Sequence, residues 1–143
     1  MMSLRRCVGC GILVLVAAAS GCGRSTGPER YNVRGAVTFR GEPVPSGTIT
    51  FEPDLSKSNS GPVSVIPIID GTYDSLALER PGPLAGSLIV RISGYPAPDP
   101  DVEIQPPLFP EYRTTVDLAT SKGATVLDFD VPDRSRKRGD AQP

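Results

Sequence analysis

Apolar and polar residues alternate most regularly at Tyr31–Phe39. Tyr31, Val33, Gly35, Val37 and Phe39 fall on one face, and Asn32, Arg34, Ala36 and Thr38 on the other. A period of two puts successive side chains on opposite sides of a half-buried strand. Arg40-Gly41-Glu42-Pro43 then turns the chain. Thr48–Glu52 alternates again, with Ile49 and Phe51 inward, until Pro53 stops it. Asp54–Gly61 is polar and reads as a loop. Val63–Ile69 is a third apolar run, which Pro67 restricts to an edge or bulged strand because it has no N–H to donate. Asp70-Gly71 is a hairpin signal, and Thr72–Leu78 leads away from it.

The second half repeats the pattern. Ser87–Ser93 points Leu88, Val90 and Ile92 inward. Tyr95–Pro110 holds six prolines and reads as an extended loop. Thr114–Thr120 places Val116 and Leu118 on one face, and Ser121-Lys122-Gly123 turns. Ala124–Val131 directs Leu127, Phe129 and Val131 inward, before Pro132 ends the pattern. Beyond residue 22, the longest stretch without Gly or Pro is Glu111–Lys122, at 12 residues. Its Thr114, Thr115, Val116 and Thr120 are branched at the β-carbon, which restricts their rotamers in a helix and favours strand.

About seven short strands at regular spacing predict an all-β fold, an antiparallel β-sandwich of transthyretin-like or immunoglobulin-like type. Its core collects Val33, Val37, Phe39, Ile49, Phe51, Val65, Tyr73, Leu88, Val90, Ile92, Leu118, Leu127 and Phe129. The predicted organisation is a signal peptide at 1–21, a lipidated Cys and tether at 22–30, the sandwich domain at 31–132 and a charged disordered tail at 133–143.

The start of the chain reads as an address. Arg5 and Arg6 precede an apolar run from Cys7 to Ala19. The run is short of the ~20 apolar residues of a comfortable transmembrane helix and fits a secretory signal. Ala19-Ser20-Gly21-Cys22 resembles a bacterial lipobox, with Ala19 in place of the usual Leu. In that motif a diacylglycerol thioether forms on the Cys and the signal is cut before it. An ordinary signal peptide that happens to end at a Cys is the plainer reading of the same residues. Cys7-Val8-Gly9-Cys10 spells C-x-x-C but lies inside the discarded segment.

Composition narrows the chemistry. Of 143 residues, none is His and three are Cys, with 15 basic and 16 acidic residues. Loss of Arg5 and Arg6 with the signal moves the formal charge from −1 to −3. Cys22 then remains as the single thiol, taken by lipid, so no disulfide is available and the core alone holds the domain. Each buried acyl methylene contributes ~0.8 kcal/mol, so two ester-linked chains and an N-acyl chain such as palmitate anchor stably. No cofactor beyond this covalent lipid on Cys22 is expected. A near-neutral charge gives no reason to expect nucleic acid.

Val33–Val44, reading V-R-G-A-V-T-F-R-G-E-P-V, resembles the opening "V-x-G-x-V-x-x-x-G-x-P-V" of carboxypeptidase regulatory-like domains, which are small transthyretin-like (prealbumin-like) sandwiches. Gly47–Pro53 is similar to the second strand of short bacterial lipoproteins of this kind. Asp70-Gly71-Thr72-Tyr73 resembles their "D-G-x-Y" hairpin. Leu84–Val90 stands where they carry "L-x-x-G-x-Y-x-V", with Leu88 in place of the Tyr. Phe109–Tyr112 and Leu127–Val131 resemble their closing segments. The resemblance runs from about Tyr31 to Val131 and implies the fold, not an activity. An enzymatic relative, the hydroxyisourate hydrolases, depends on His and a C-terminal Tyr-Arg-Gly-Ser, and this chain has neither.

The remaining candidates each have a plainer reading. Asp99, Asp101 and Glu103 alternate in one loop as metal candidates, but lack the Gly and spacing of a calcium loop, and a solvated acidic loop accounts for them. Asp128 and Asp130 beside Asp133 are accounted for in the same way, as the solvated outward side of the last strand. The basic Arg134–Arg138 reads as a solubilising end or as a contact for anionic lipid or cell-wall polymer. Leu108, Phe109 and Tyr112 in the 95–112 loop form either a recognition surface or a cover over one end of the sandwich. Without His to activate a Ser, no catalysis is expected. The expected protein is a non-catalytic, membrane-anchored cell-envelope lipoprotein acting as an interaction or structural module with a protein or glycan partner. The alternative is an extracytoplasmic carbohydrate- or calcium-assisted binding or adhesion module. Gly23 stands where some Gram-negative lipoproteins carry the Asp of inner-membrane retention, which points to the outer membrane.

Overall fold

The computed structural model describes residues 27–133. The signal segment, Cys22 and the basic run from Arg134 lie outside the described residues. Nine strands follow one another: β1 (Val33–Phe39), β2 (Glu42–Pro43), β3 (Ser46–Pro53), β4 (Ser64–Ile69), β5 (Thr72–Asp74), β6 (Gly86–Tyr95), β7 (Tyr112–Leu118), β8 (Thr125–Val126) and β9 (Phe129–Val131). A 3-10 turn at Leu55–Lys57 is the sole helical element among the described residues. Within the Glu111–Lys122 stretch, Tyr112–Leu118 is therefore strand, as its β-branched residues predict.

The strands pair in the order β2-β1-β5-β4-β3-β6-β7, and β8 and β9 both return to β1. The long antiparallel ladders β3–β6 and β6–β7 set the alternation: Ile49 lies opposite Ile92, and Phe51 opposite Val90. The β4–β5 hairpin carries the sheet around with a single pair, Ile69 opposite Thr72. Its turn residues Asp70 and Gly71 take φ of 49° and 76°, as a tight turn matching the right-handed strand twist requires. The sheet thus curls until β1 and β5 face β3 and β6 across one core. The Tyr73 ring of β5 lies 6.0 Å from Phe51 of β3 and 6.4 Å from Phe129 of β9. Val33, Val37, Ile49, Phe51, Leu88, Val90 and Ile92 are fully buried in that core. Each contributes about 1.5–3 kcal/mol by leaving water.

One core assignment is corrected. Val65 points outward, 51% exposed, while Ile66 and Ile68 are buried. Register decides this: Ile66 lies opposite the inward Ile49, and Val65 opposite Thr50. A slip of one residue in a strand exchanges its faces, and a run apolar at nearly every position leaves the phase to its partner. Pro67 sits where β4 has only β3 beside it, which is the edge position its missing N–H demands.

The antiparallel sheet has one departure. β8 and β9 run parallel to β1, Val33 meeting Thr125 and Phe39 meeting Val131. Between them the chain kinks at Leu127-Asp128. The Asp128 carboxylate accepts from the Ala36 N–H at 2.8 Å, and the Leu127 N–H donates to the Arg34 carbonyl at 2.8 Å. The kink presses on β1 so closely that a Cβ on Gly35 would stand 1.9 Å from the Leu127 oxygen. Glycine at 35 is what lets the last segment close onto the first strand.

Candidate functional site

At the Phe39 end of β1 the sandwich leaves a groove of about 470 Å³. One wall is the end of the proline-rich loop with the start of β7, and the other is β9 with the two residues after it. The floor forms because the loop folds inward. The Leu108 N–H donates to the Gly94 carbonyl at 2.9 Å, which fixes the loop against β6. Phe109 then enters the core, 5% exposed. Its ring packs tilted against Phe39, centroids 4.9 Å apart, and occupies space that a side chain at Gly94 would fill, 2.7 Å from an ideal Cβ there. Of the two readings of the 95–112 loop, covering the end of the sandwich is what the structure contains. The outer side of that cover, with Pro110, Glu111 and Tyr112, lines the groove.

The rim is charged. Arg40, in the tight turn after β1, holds its guanidinium 5.0 Å from the Phe39 ring centre. Its Nε donates to Asp133 at 2.7 Å. The pair joins residues 93 apart and ties the end of β9 to the turn after β1. The Arg40 side chain is 58% exposed, so the pair's weight lies in geometry more than in stability. Glu111 sits across the groove and also approaches Arg91 at 3.7 Å. The groove therefore offers half-buried aromatic surface beside both signs of charge, the composition of a binding cleft.

The other sequence candidates fall elsewhere. Cys22 lies outside the described residues. Asp99, Asp101 and Glu103 are exposed in the loop after β6. The Asp99 carboxylate accepts from the Asp101 backbone N–H at 2.9 Å. Among the described residues no three Asp, Glu or Cys side chains gather to hold a metal ion. Asp128 and Asp130 are exposed as expected, but both bond to β1, Asp130 through the Thr38 hydroxyl at 2.9 Å. The sequence marks Arg40 as a turn residue and Asp133 as one more acid beside Asp128 and Asp130, without pairing them. Each sits beside a turn or Pro signal, and only the parallel return of β9 brings them together.

Comparison of the chain with family models, with curated proteins and with solved structures finds no match. The class is therefore defined by the fold alone: an all-β sandwich, curled from one largely antiparallel sheet.

Proposed function

We propose that this protein is an exported envelope lipoprotein, anchored through lipid on Cys22, whose transthyretin-like sandwich is a non-catalytic interaction module. The carrying observation is the conjunction of the Ala19-Ser20-Gly21-Cys22 motif with a sandwich whose groove is lined by Phe39, Phe109 and Tyr112 and rimmed by Arg40, Glu111 and Asp133. The similarity of Val33–Val44 and Asp70–Tyr73 to carboxypeptidase regulatory-like domains supports the same reading. So does the state of the hydroxyls. Ser64 and Ser46 donate to backbone carbonyls, and Ser56 and Ser87 to carboxylates. None of these four lines the groove, and each hydroxyl proton is held in a bond within the fold.

Metabolic labelling with a clickable fatty acid tests the anchor. The parent chain is expected to carry label and to fractionate with membranes, and Cys22→Ala to lose the label. A Cys22→Ala chain still fully membrane-bound overturns the lipoprotein reading.

The aromatic lining of the groove favours a second reading, an extracytoplasmic carbohydrate-binding module. Sugar rings pack on half-exposed aromatics while charged rims bond their hydroxyls. Thermal melting against cell-wall glycans separates the two: a concentration-dependent rise in Tm that Tyr112→Ala removes supports the glycan, and no shift leaves the protein-partner reading.

A further inference from the structure

We propose that β7 is a homodimerisation edge, at which two copies of this chain pair their β7 strands antiparallel about a two-fold axis through Thr115. The sheet has two ends. At one end β8 and β9, two and three residues long, run beside β1 and are split by the kink at Leu127-Asp128, a blunted edge. At the other stands β7, seven residues from Tyr112 to Leu118 with neither Pro nor Gly. β7 pairs with β6 along one side. Among the described residues, no strand and no turn or loop backbone bond takes up its other side. A long strand edge with its N–H and C=O groups open is a template for another strand.

The sequence of β7 says which strand fits. Its outward residues are Arg113, Thr115 and Asp117, and its inward ones Tyr112, Thr114, Val116 and Leu118. Residues directly opposite in an antiparallel pair point to the same face. Centred on Thr115, two copies set Arg113 against the partner's Asp117, and Asp117 against the partner's Arg113. The same register sets Tyr112 against the partner's Leu118 and Thr114 against the partner's Val116. Every pair is matched in kind: opposite charges outside, apolar or β-branched residues inside, and Thr against Thr on the axis. Opposite-charge and β-branched pairs of this sort stabilise neighbouring strands, and like charges oppose them. A shift of two residues in either direction breaks the charge match, so the strand is self-complementary in one register. Asp117 already accepts from the Ser87 hydroxyl. A carboxylate has about four lone-pair sites, which leaves room for an arginine from the partner.

The test uses the full-length chain in cells, with Thr115→Cys. On the axis the two Cα atoms lie ~4.5–5.5 Å apart, within the reach of a disulfide. Mild oxidation and non-reducing electrophoresis are expected to give a reducible dimer as the main species, well above the parent chain with its own three cysteines. Adding Arg113→Asp or Asp117→Arg to Thr115→Cys is expected to cut the dimer several-fold, and adding both to restore it. Thr115→Cys with no more dimer than the parent overturns the proposal. Equal crosslinking from Ser121→Cys also overturns it, since Ser121 lies beyond Leu118, which in this pairing already stands about 20 Å from the partner's Leu118 at ~3.3 Å per residue. A dimer indifferent to the single charge reversals overturns the register and the proposal with it.

Discussion

The Tyr73 hydroxyl donates a hydrogen bond to the Leu127 carbonyl oxygen at 2.6 Å, joining residues 54 apart in the chain. It pins the kink between β8 and β9 from the β5 side, while Gly35 admits the same carbonyl from the β1 side. Tyr73→Phe keeps the ring and its packing and removes only the donor. The expected loss is about 0.5–1.5 kcal/mol, the net worth of one such bond. Urea unfolding should show a lower midpoint at an unchanged slope.

The same residue gives a pH dependence. Burial, and secondarily the negative charge of Asp128, hold the Tyr73 phenol well above its ordinary value of 10.0. A group raised in the folded state binds its proton there longer than in the unfolded chain. Its contribution is complete below the unfolded value and declines as pH climbs beyond it. Stability should therefore fall on raising the pH past about 10, by up to ~1.4 kcal/mol per unit from this group. Tyr73→Phe should flatten that slope in unfolding curves taken from neutral to strongly alkaline pH.

Gly35→Ala places a methyl group against the Leu127 carbonyl and the Asp128 carboxylate. Backbone must move, and overpacking of this kind costs about 1–3 kcal/mol. Gly123 has open space around it, so Gly123→Ala should stay within about 0.5 kcal/mol of the parent. Thermal melting of the two variants side by side checks the contrast.

Phe109→Ala removes the plug between the proline-rich loop and Phe39. A buried aromatic truncated to alanine costs about 3–5 kcal/mol. Limited proteolysis should then cut within 96–111 at a protease level the parent resists. An intact loop at that protease level would mean that Leu108 and its bond to Gly94 suffice to hold the cover.

Asp54 supplies the acid-side counterpart. The Ser56 hydroxyl, at 2.6 Å, is the main cause holding its carboxyl below the usual range, and burial opposes it. A group lowered in the folded state contributes above its unfolded value of 3.8 and loses that contribution as pH falls through the folded one. Ser56→Ala should bring the Asp54 titration, followed by carboxyl NMR, back up toward the ordinary value.

Much of the fold was legible because inward residues keep strict alternation. Val33, Val37, Ile49, Phe51, Leu88, Val90 and Ile92 can take no other phase, and all are buried. β4 is the opposite case: Val65, Ile66, Ile68 and Ile69 offer apolar side chains at both parities, so only pairing with β3 fixes the face. The parallel return of β8 and β9 was not legible, since partner choice across 92 residues leaves no local signal. The groove was half legible. Leu108, Phe109 and Tyr112 stood out from the prolines around them, but their inward turn depends on Gly94, and their opposite wall on that same return.

The parallel return also gives the molecule poles. β1 begins at Val33 beside Thr125 and ends at Phe39 beside Val131, a separation of roughly 20 Å for seven residues at ~3.3 Å each. An antiparallel closing strand would bring the end of the chain back beside its entry. Here the residues after Val131 depart from the far side, where Phe39 and the groove also lie. Entry to β1 at Val33 and exit at Val131 thus stand at opposite ends of the sandwich, and the groove opens at the exit end.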